Sequence, residues 1–185
     1  MSETPIRISI IGNTKVGKSC LIYRFINYNI PKIHDPTIED RYKSVAKIDR
    51  LTYYIEILDT GGENEYQKIM DTWINFGDGF ILVFSINDEE SFNCLKDKRD
   101  RILQIKNGKN CPILLVGNKN DLERKVNYSD ARNLGNKWGC EYIETSAVND
   151  FNCKEAFEIL AKKIYEIKQS EKKKKKDCCC SCSIY

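Results

Sequence analysis

Eight consecutive residues carry the densest chemistry in this chain. They are Gly12-Asn13-Thr14-Lys15-Val16-Gly17-Lys18-Ser19, a GxxxxGK[ST] run that follows a short apolar stretch and opens an amphipathic one. Strand before and helix after is the context this pattern needs. Gly12 and Gly17 permit turns that aim successive backbone N–H groups inward as an anion nest. A helix beginning near Ser19 adds the positive end of its dipole. Lys18 is placed to bridge the β- and γ-phosphates of a nucleotide, and the Ser19 hydroxyl to ligate Mg²⁺. A phosphate loop names neither base nor reaction, since kinases of small metabolites, ATPases and GTPases all carry one.

The base is addressed by Asn118-Lys119-Asn120-Asp121, an NKxD run after another apolar stretch. A carboxylate such as Asp121 can accept two hydrogen bonds, from guanine N1–H and N2–H₂. Adenine offers no such donor pair, so ATP would leave a desolvated carboxylate unpaired. Alone the tetrapeptide is weak evidence, because Asn and Asp after a strand commonly serve loops and caps. Downstream of a phosphate loop at this distance it reads as a guanine pocket, and it argues against a phosphate-loop kinase or ATPase.

The elements that must position these loops follow from hydrophobic period. Ile6–Ile11, Phe80–Ile86 and Pro112–Gly117 read as strands buried on both faces, as in a parallel sheet. Arg41–Asp49 and Leu51–Leu58 read as two longer strands joined near Asp49-Arg50 in an antiparallel edge hairpin, and Glu141–Glu144 as a short last strand. Helices fit Ser19–Tyr28, Tyr66–Phe76, Glu89–Ile105, Ser129–Trp138 and Asn152–Lys168, the last with Phe157, Leu160, Ala161, Ile164 and Ile167 on one face. Strands separated by helices imply right-handed crossovers in an α/β domain, with ligands at the carboxyl ends of the strands. The expectation is a P-loop NTPase fold: a mixed, mostly parallel six-stranded sheet with helices on both faces.

With 185 residues, 41% apolar and 31% charged, the chain has room for one domain and one sizeable core. Its net charge of +3 lies entirely in the last fifteen residues, so residues 1–170 sum to zero. A basic face on the fold would suggest nucleic acid; a neutral fold with a basic tail points instead to a membrane surface. Nine cysteines divide the same way. Cys20, Cys94, Cys111, Cys140 and Cys153 lack CxxC spacing and read as small half-buried thiols rather than zinc ligands or disulfides, whereas Cys178, Cys179, Cys180 and Cys182 crowd the terminus. Ile6–Ile11 is too short and polar for a secretory signal, and no apolar run approaches a bilayer's thickness. An intracellular chain is expected, folded over 1–169, with membrane contact through the tail at 170–185.

Three further segments complete a pattern: Asp35-Pro36-Thr37-Ile38-Glu39-Asp40, Asp59-Thr60-Gly61-Gly62 and Glu144-Thr145-Ser146-Ala147. With the two loops above, the chain from about Ile6 to Lys168 resembles the Ras family of small GTPases. PTIED, with Gly77-Asp78-Gly79-Phe80, is nearer the Ras and Rap branches than Rho or Rab. The resemblance implies that Thr37 in the first switch ligates Mg²⁺ and senses the γ-phosphate. It also implies that Asp59 holds Mg²⁺ through water, that the Gly62 N–H bonds the γ-phosphate, and that the Ala147 N–H meets guanine O6. The implied catalytic set is Lys18, Thr37, Gly62 and Glu63, and the metal set is Ser19, Thr37 and Asp59. GTP or GDP would be held by Gly12, Thr14, Lys15, Val16, Gly17, Lys18, Ser19, Cys20, Ile30, Pro36, Thr37, Asp59, Gly62, Asn118, Lys119, Asp121, Ser146 and Ala147. Loss of the γ-phosphate would release both switch loops. Effectors reading residues 34–42, an exchange factor and a GTPase-activating protein are the implied partners, with no nucleic acid among them.

Five positions depart from that family. Glu63 stands where Gln usually orients the attacking water, an arrangement for which Ras is the standard case. An amide donates and accepts, whereas an ionised carboxylate only accepts and repels the γ-phosphate. Slow intrinsic hydrolysis is one reading; the other is a tolerated surface substitution with an activator supplying the missing group, as in the Rap branch. Thr14 replaces a Gly at the spot where an activator's arginine would approach, and Lys15 replaces the next Gly, adding positive potential or facing solvent. Ile30 replaces an aromatic that stacks on guanine, unless Tyr28 substitutes. His34 replaces a Tyr and reads as an exposed loop residue.

The tail, Lys172–Lys176 followed by the cysteines and Cys182-Ser183-Ile184-Tyr185, resembles a lipidated small-GTPase terminus. Its last four residues fit CaaX with Cys182 prenylated by a prenyltransferase. Tyr185, nearer Phe than Ser or Met in bulk, leans to geranylgeranyl over farnesyl. One lipid anchors marginally; the lysines against anionic lipid and palmitate on Cys178, Cys179 and Cys180 supply the second signal. The combined expectation is a GTP-hydrolysing switch with Mg²⁺ at the cytoplasmic face of a membrane, the plasma membrane first. A permanently GTP-loaded adaptor that hydrolyses almost nothing is the alternative.

Overall fold

The computed structural model describes residues 5–26, 37–62, 67–107 and 110–180, with the side chains of 67–68 and 174–180 left out. Six strands, β1 (Ile6–Gly12), β2 (Glu39–Ile48), β3 (Leu51–Thr60), β4 (Gly79–Ser85), β5 (Ile113–Asn118) and β6 (Glu141–Glu144), form one sheet in the order β2-β3-β1-β4-β5-β6. Only β2 is antiparallel to its neighbour. The hairpin turns at Asp49 (φ 47°) and Arg50 (φ 69°), the paired left-handed conformation of a tight two-residue turn whose twist suits the flanking strands.

The apolar runs are buried on both sides of the sheet because alternate residues serve two cores. Ile8 and Ile10 of β1, Ile81 and Val83 of β4, and Leu114 and Val116 of β5 face one core, which α1 (Lys18–Phe25) and α6 (Cys153–Cys180) close with Leu21, Ile22, Phe157 and Leu160. Phe25 stacks on Phe157 at 4.5 Å between ring centroids, joining those helices. Ile11, Phe80, Leu82, Phe84 and Leu115 face the other core. There α2 (Gln67–Phe76), α3 (Glu89–Asn93), α4 (Leu95–Lys106) and α5 (Tyr128–Trp138) pack with Ile74, Leu95, Ile102 and Ala131.

Three helices differ from the sequence expectation by more than one residue. The single helix expected over Glu89–Ile105 is divided at Cys94. Ser91 Oγ accepts from Ser85 N–H (3.0 Å) and donates to Asp88 O (2.7 Å), tethering the first turn to β4, while Leu95 and Ile102 carry the remainder into the core. Helix α1 is shorter than expected, ending at Phe25 with Ile26 as its cap. Helix α6 runs past Lys168 to Cys180, because Gln169–Asp177 contains no Gly or Pro and is rich in residues that tolerate a helix.

Candidate functional site

The phosphate loop leaves β1 at Gly12, where a methyl group would lie 2.2 Å from the Val83 carbonyl oxygen of β4. Val16, 1% exposed, anchors the loop in the core. Gly17 (φ 95°) caps α1 in the left-handed region and its carbonyl accepts the first helical bond from Leu21 N–H at 3.1 Å. Lys18 is buried, and its Nζ donates to the carbonyls of Gly12 (3.0 Å) and Asn13 (2.9 Å). Burial lowers its pKa to about 8, against the opposing pull of the Asp59 carboxylate. This is a desolvated cation beside a nest of N–H groups, which is what a polyphosphate requires.

Thr37, Asp59 and Gly62, from the two segments expected to be switches, converge on the phosphate loop. Ser19 Oγ and Thr37 Oγ1 are 3.2 Å apart, and Asp59 at the end of β3 is fully buried. Two hydroxyls and a carboxylate are hard oxygen donors, and they fit Mg²⁺. Gly61 N–H donates to Ile38 O at 2.8 Å, and Glu39 pairs with Thr60 across the hairpin, so the two segments share one ladder. Gly62 lies directly on the phosphate loop: a methyl group there would sit 2.1 Å from Thr14 N and 2.3 Å from Asn13 C. Thr14, Lys18, Ser19, Thr37, Gly62 and Lys119 are among the residues lining the resulting cleft of about 390 Å³.

Asn118, 1% exposed, holds the base corner to the phosphate corner. Its Nδ2 donates to Val16 O (2.8 Å) and its Oδ1 accepts from Thr145 Oγ1 (3.0 Å). Asp121 is exposed, with Oδ1 accepting from the buried Ser146 Oγ at 2.5 Å. Ser146 Oγ in turn accepts from Asn149 N–H at 3.1 Å. Arg24 of α1 reaches across to the carbonyls of Ala147 (Nε, 2.6 Å) and Val148 (3.1 Å), fixing the loop whose Ala147 N–H was expected to face a base. Nothing in local sequence pairs Arg24 with residue 147, so this positioning residue was missed. The same holds for Arg124 and Tyr142. Burial alone would raise the Glu144 pKa, but the Arg124 guanidinium, bidentate at 2.8 Å, and the Tyr142 hydroxyl outweigh it and hold it below the usual range. Glu144 in the ETSA run is thus a scaffold residue.

Cys20 lines the cleft with its thiol pKa raised by burial and by Asp59, so it stays protonated there. Tyr28, Ile30, His34, Asp35, Pro36, Glu63 and Cys182 lie outside the described residues, as do the side chains of Cys178, Cys179 and Cys180.

Residues 7–166 match the model of the Ras family. This chain belongs to the Ras family. Among its curated relatives is the mouse GTP-binding protein Rit2, 37% identical over 160 residues that cover 85% of this chain and 74% of that protein.

Within this Ras-family frame the phosphate loop carries an anomaly. Lys15 is exposed and adopts φ 62°, a conformation that disfavours a side chain by ~1–2 kcal/mol relative to glycine. Lys15 faces solvent and also lines the cleft, so its exposed position and its positive charge beside the phosphate loop go together. Lys15→Gly should therefore raise stability by about 0.5–1 kcal/mol, the relieved strain exceeding the extra freedom glycine gives the unfolded chain. That corresponds to a thermal midpoint about 1–4 °C higher; an unchanged or lower midpoint in calorimetry would show that Lys15 contributes a compensating interaction.

Proposed function

We propose that this small GTP-binding signalling protein is a guanine-nucleotide switch that takes GTP and GDP with Mg²⁺ and hydrolyses GTP by water attack. The observation that carries the reading is Asn118, whose two buried hydrogen bonds lock the phosphate loop to the 145–147 loop. That tie sets a phosphate nest and a carboxylate-bearing base pocket at a fixed separation. Lys18 exchanges the carbonyls of Gly12 and Asn13 for phosphate oxygens. Mg²⁺, held by Ser19 and Thr37 and through water by Asp59, would neutralise charge that develops on the transferred group. Gly62 brings its N–H over the phosphate loop with no side chain between. The decisive experiment is chromatography of the nucleotide carried by purified protein, with ATP competing against labelled GTP. Bound guanine nucleotide that excess ATP cannot displace supports the reading, and displacement by ATP overturns it.

Hydrolysis is expected to be slow, because Glu63 occupies the position of the water-orienting amide. Losing one well-placed transition-state donor costs ~3–4 kcal/mol in other enzymes. Glu63→Gln removes a like charge and restores a donor with little change in shape, so single-turnover hydrolysis should rise on the order of tenfold or more. A rate equal to or below wild type would make Glu63 a working base or a bystander, and Thr14 the next suspect. The second reading, a largely GTP-loaded adaptor, is favoured by Glu63 together with Thr14, which is exposed at the cleft rim.

Effectors would read residues 34–42, with an exchange factor and a GTPase-activating protein as the other partners. A prenyl group on Cys182, palmitate on Cys178, Cys179 or Cys180, and Lys172–Lys176 against anionic lipid would hold the chain at the cytoplasmic face of a membrane, the plasma membrane first.

A further inference from the structure

We infer that Arg24 is a specificity-determining residue: from α1 it fixes the Ala147 N–H, so that the base site favours a purine with a keto oxygen at position 6. This rests on the guanine reading of the site proposed above.

The 145–147 loop is tied down residue by residue up to that donor. Thr145 N–H donates to Gly117 O at 2.9 Å, and Thr145 O accepts from Asn120 N–H at 3.0 Å. Ser146 exchanges both of its backbone bonds with Phe151, at 3.0 and 2.9 Å. The Cys153 thiol donates a further bond to Ser146 O at 3.3 Å. Ser146 O and the Ala147 N–H belong to one planar trans peptide and point in opposite directions. The bonds at Ser146 O therefore turn the Ala147 N–H away from Phe151 and Cys153. Ala147 is 5% exposed, and its N–H has no hydrogen-bond partner among the described residues. Buried N–H groups are almost always paired, so this one is kept for an acceptor that a ligand brings.

Past Ala147 side-chain packing gives little hold, since Val148 is 69% exposed. Arg24 takes over there. Its Nε donates to Ala147 O at 2.6 Å and its Nη2 to Val148 O at 3.1 Å. A guanidinium carries its donors in a rigid planar fork, so one fork on two successive carbonyls fixes the peptides that bear them. With Ser146 O held on one side and Ala147 O on the other, the Ala147 N–H keeps one direction. The anchor is itself rigid. Arg24 lies in the last turn of α1, whose first turn carries Lys18 and Ser19 and whose Phe25 stacks on Phe157 of α6. The helix that begins at the phosphate corner thus also holds the base corner. A loose N–H would swing aside for whatever stood opposite it. A fixed one is satisfied by a keto oxygen and opposed by an amino group, the mispairing through which polar sites discriminate. Asp121 would read the N1–H and the 2-amine, while Arg24, acting through Ala147, sets the preference at position 6.

The test compares four diphosphates on the full chain with Mg²⁺: GDP, 6-thio-GDP, IDP and ADP. 6-Thio-GDP keeps the N1–H and the 2-amine but carries sulfur, a larger and weaker acceptor, at position 6. IDP keeps the oxygen and lacks the 2-amine. Dissociation constants come from competition with a fluorescent GDP analogue, for wild type, Arg24→Gln and Arg24→Lys. Wild type should hold GDP on the order of tenfold more tightly than 6-thio-GDP. In Arg24→Gln that preference should shrink to about threefold or less through loss of GDP affinity, with the preference for GDP over IDP unchanged. Arg24→Lys keeps the charge without the fork and should fall between the two. Equal weakening of GDP, 6-thio-GDP and IDP in Arg24→Gln overturns the inference, because a residue that only supports the fold would act in that way. A 6-thio-GDP preference that stays at its wild-type value overturns it as well. Should circular dichroism show that Arg24→Gln does not fold, Arg24→Lys decides by the same comparison. A wild type that prefers GDP to ADP but not to 6-thio-GDP overturns the inference and leaves the guanine reading standing, whereas a wild type indifferent between GDP and ADP removes both.

Discussion

Asp121→Asn should turn a GTP-preferring protein into one that prefers xanthosine triphosphate, with GTP affinity falling on the order of a thousandfold or more. The structure shows why the swap can be clean. Asp121 Oδ1 is already committed to the Ser146 hydroxyl, and an asparagine can keep that bond through its carbonyl oxygen. Its amide then takes the place of the second carboxylate oxygen, turning an acceptor into a donor. Guanine presents donors there and would meet a donor; xanthine presents a carbonyl and would be satisfied. Sites built to pair a polar group discriminate strongly because mispairing leaves desolvated groups unmet. Competition between labelled GTP and xanthosine triphosphate measures the switch. Unchanged GTP affinity would remove Asp121 from the base site, whereas equal loss of both nucleotides would mean that the Ser146 bond had broken.

Asn118→Ala should be nearly as damaging, although Asn118 need not touch the ligand strongly for this to hold. The substitution strips the Val16 carbonyl of a donor at 2.8 Å and leaves Thr145 Oγ1 without the acceptor it has at 3.0 Å, in a region where all three residues are 1% exposed or less. Each abandoned buried group costs ~1–3 kcal/mol, so the loops should separate or the fold should weaken by about 2–5 kcal/mol. GDP release, followed by stopped flow with a fluorescent analogue, should accelerate about a hundredfold or more. Asn118→Asp is the informative companion: it preserves the acceptor for Thr145 but cannot donate to Val16. A release rate for Asn118→Ala within a factor of about three of wild type would show that the other bonds to the 145–147 loop, those of Arg24 and Asp121 among them, hold it without Asn118.

The division between what could and could not be read in the sequence follows the range of the interactions. The strands were legible to within two residues because both-face burial writes an uninterrupted apolar run, and Asp49-Arg50 was legible as a turn because a break in alternation marks it. The order β2-β3-β1-β4-β5-β6 agrees with the α/β expectation, which rests on crossover handedness rather than on any single residue. Site residues in contiguous motifs, such as Lys18 and Ser19, converge with Thr37 and Asp59 as the family resemblance implied. Arg24 bonding Ala147, Trp73 bonding Glu39 and Arg124 holding Glu144 were invisible, since each pairs residues that no periodicity relates. Lys15 was legible as an unusual residue, but its left-handed backbone was not, because nothing in a lysine announces φ 62°. The division of the helix at Cys94 escaped for a similar reason: its cause is a serine hydroxyl bound to another element.

The bond between Trp73 and Glu39 also has an optical consequence. The chain has two tryptophans. Trp73 of α2 is 3% exposed and its indole Nε1 donates to Glu39 Oε2 at 2.9 Å, two residues after Thr37. Trp138 closes α5, with the Arg99 guanidinium over its ring at 5.2 Å to the centroid, among residues of the core that α4 and α5 share. One indole thus has the Glu39 carboxylate, from the start of β2, on its N–H, and the other stands on the opposite half of the sheet. An excited indole is sensitive to the charge beside it, so a shift of Glu39 alters the colour and yield of one emitter and leaves the other as an internal standard. The native chain is its own dye-labelled reporter, and Trp138→Phe isolates the responsive channel.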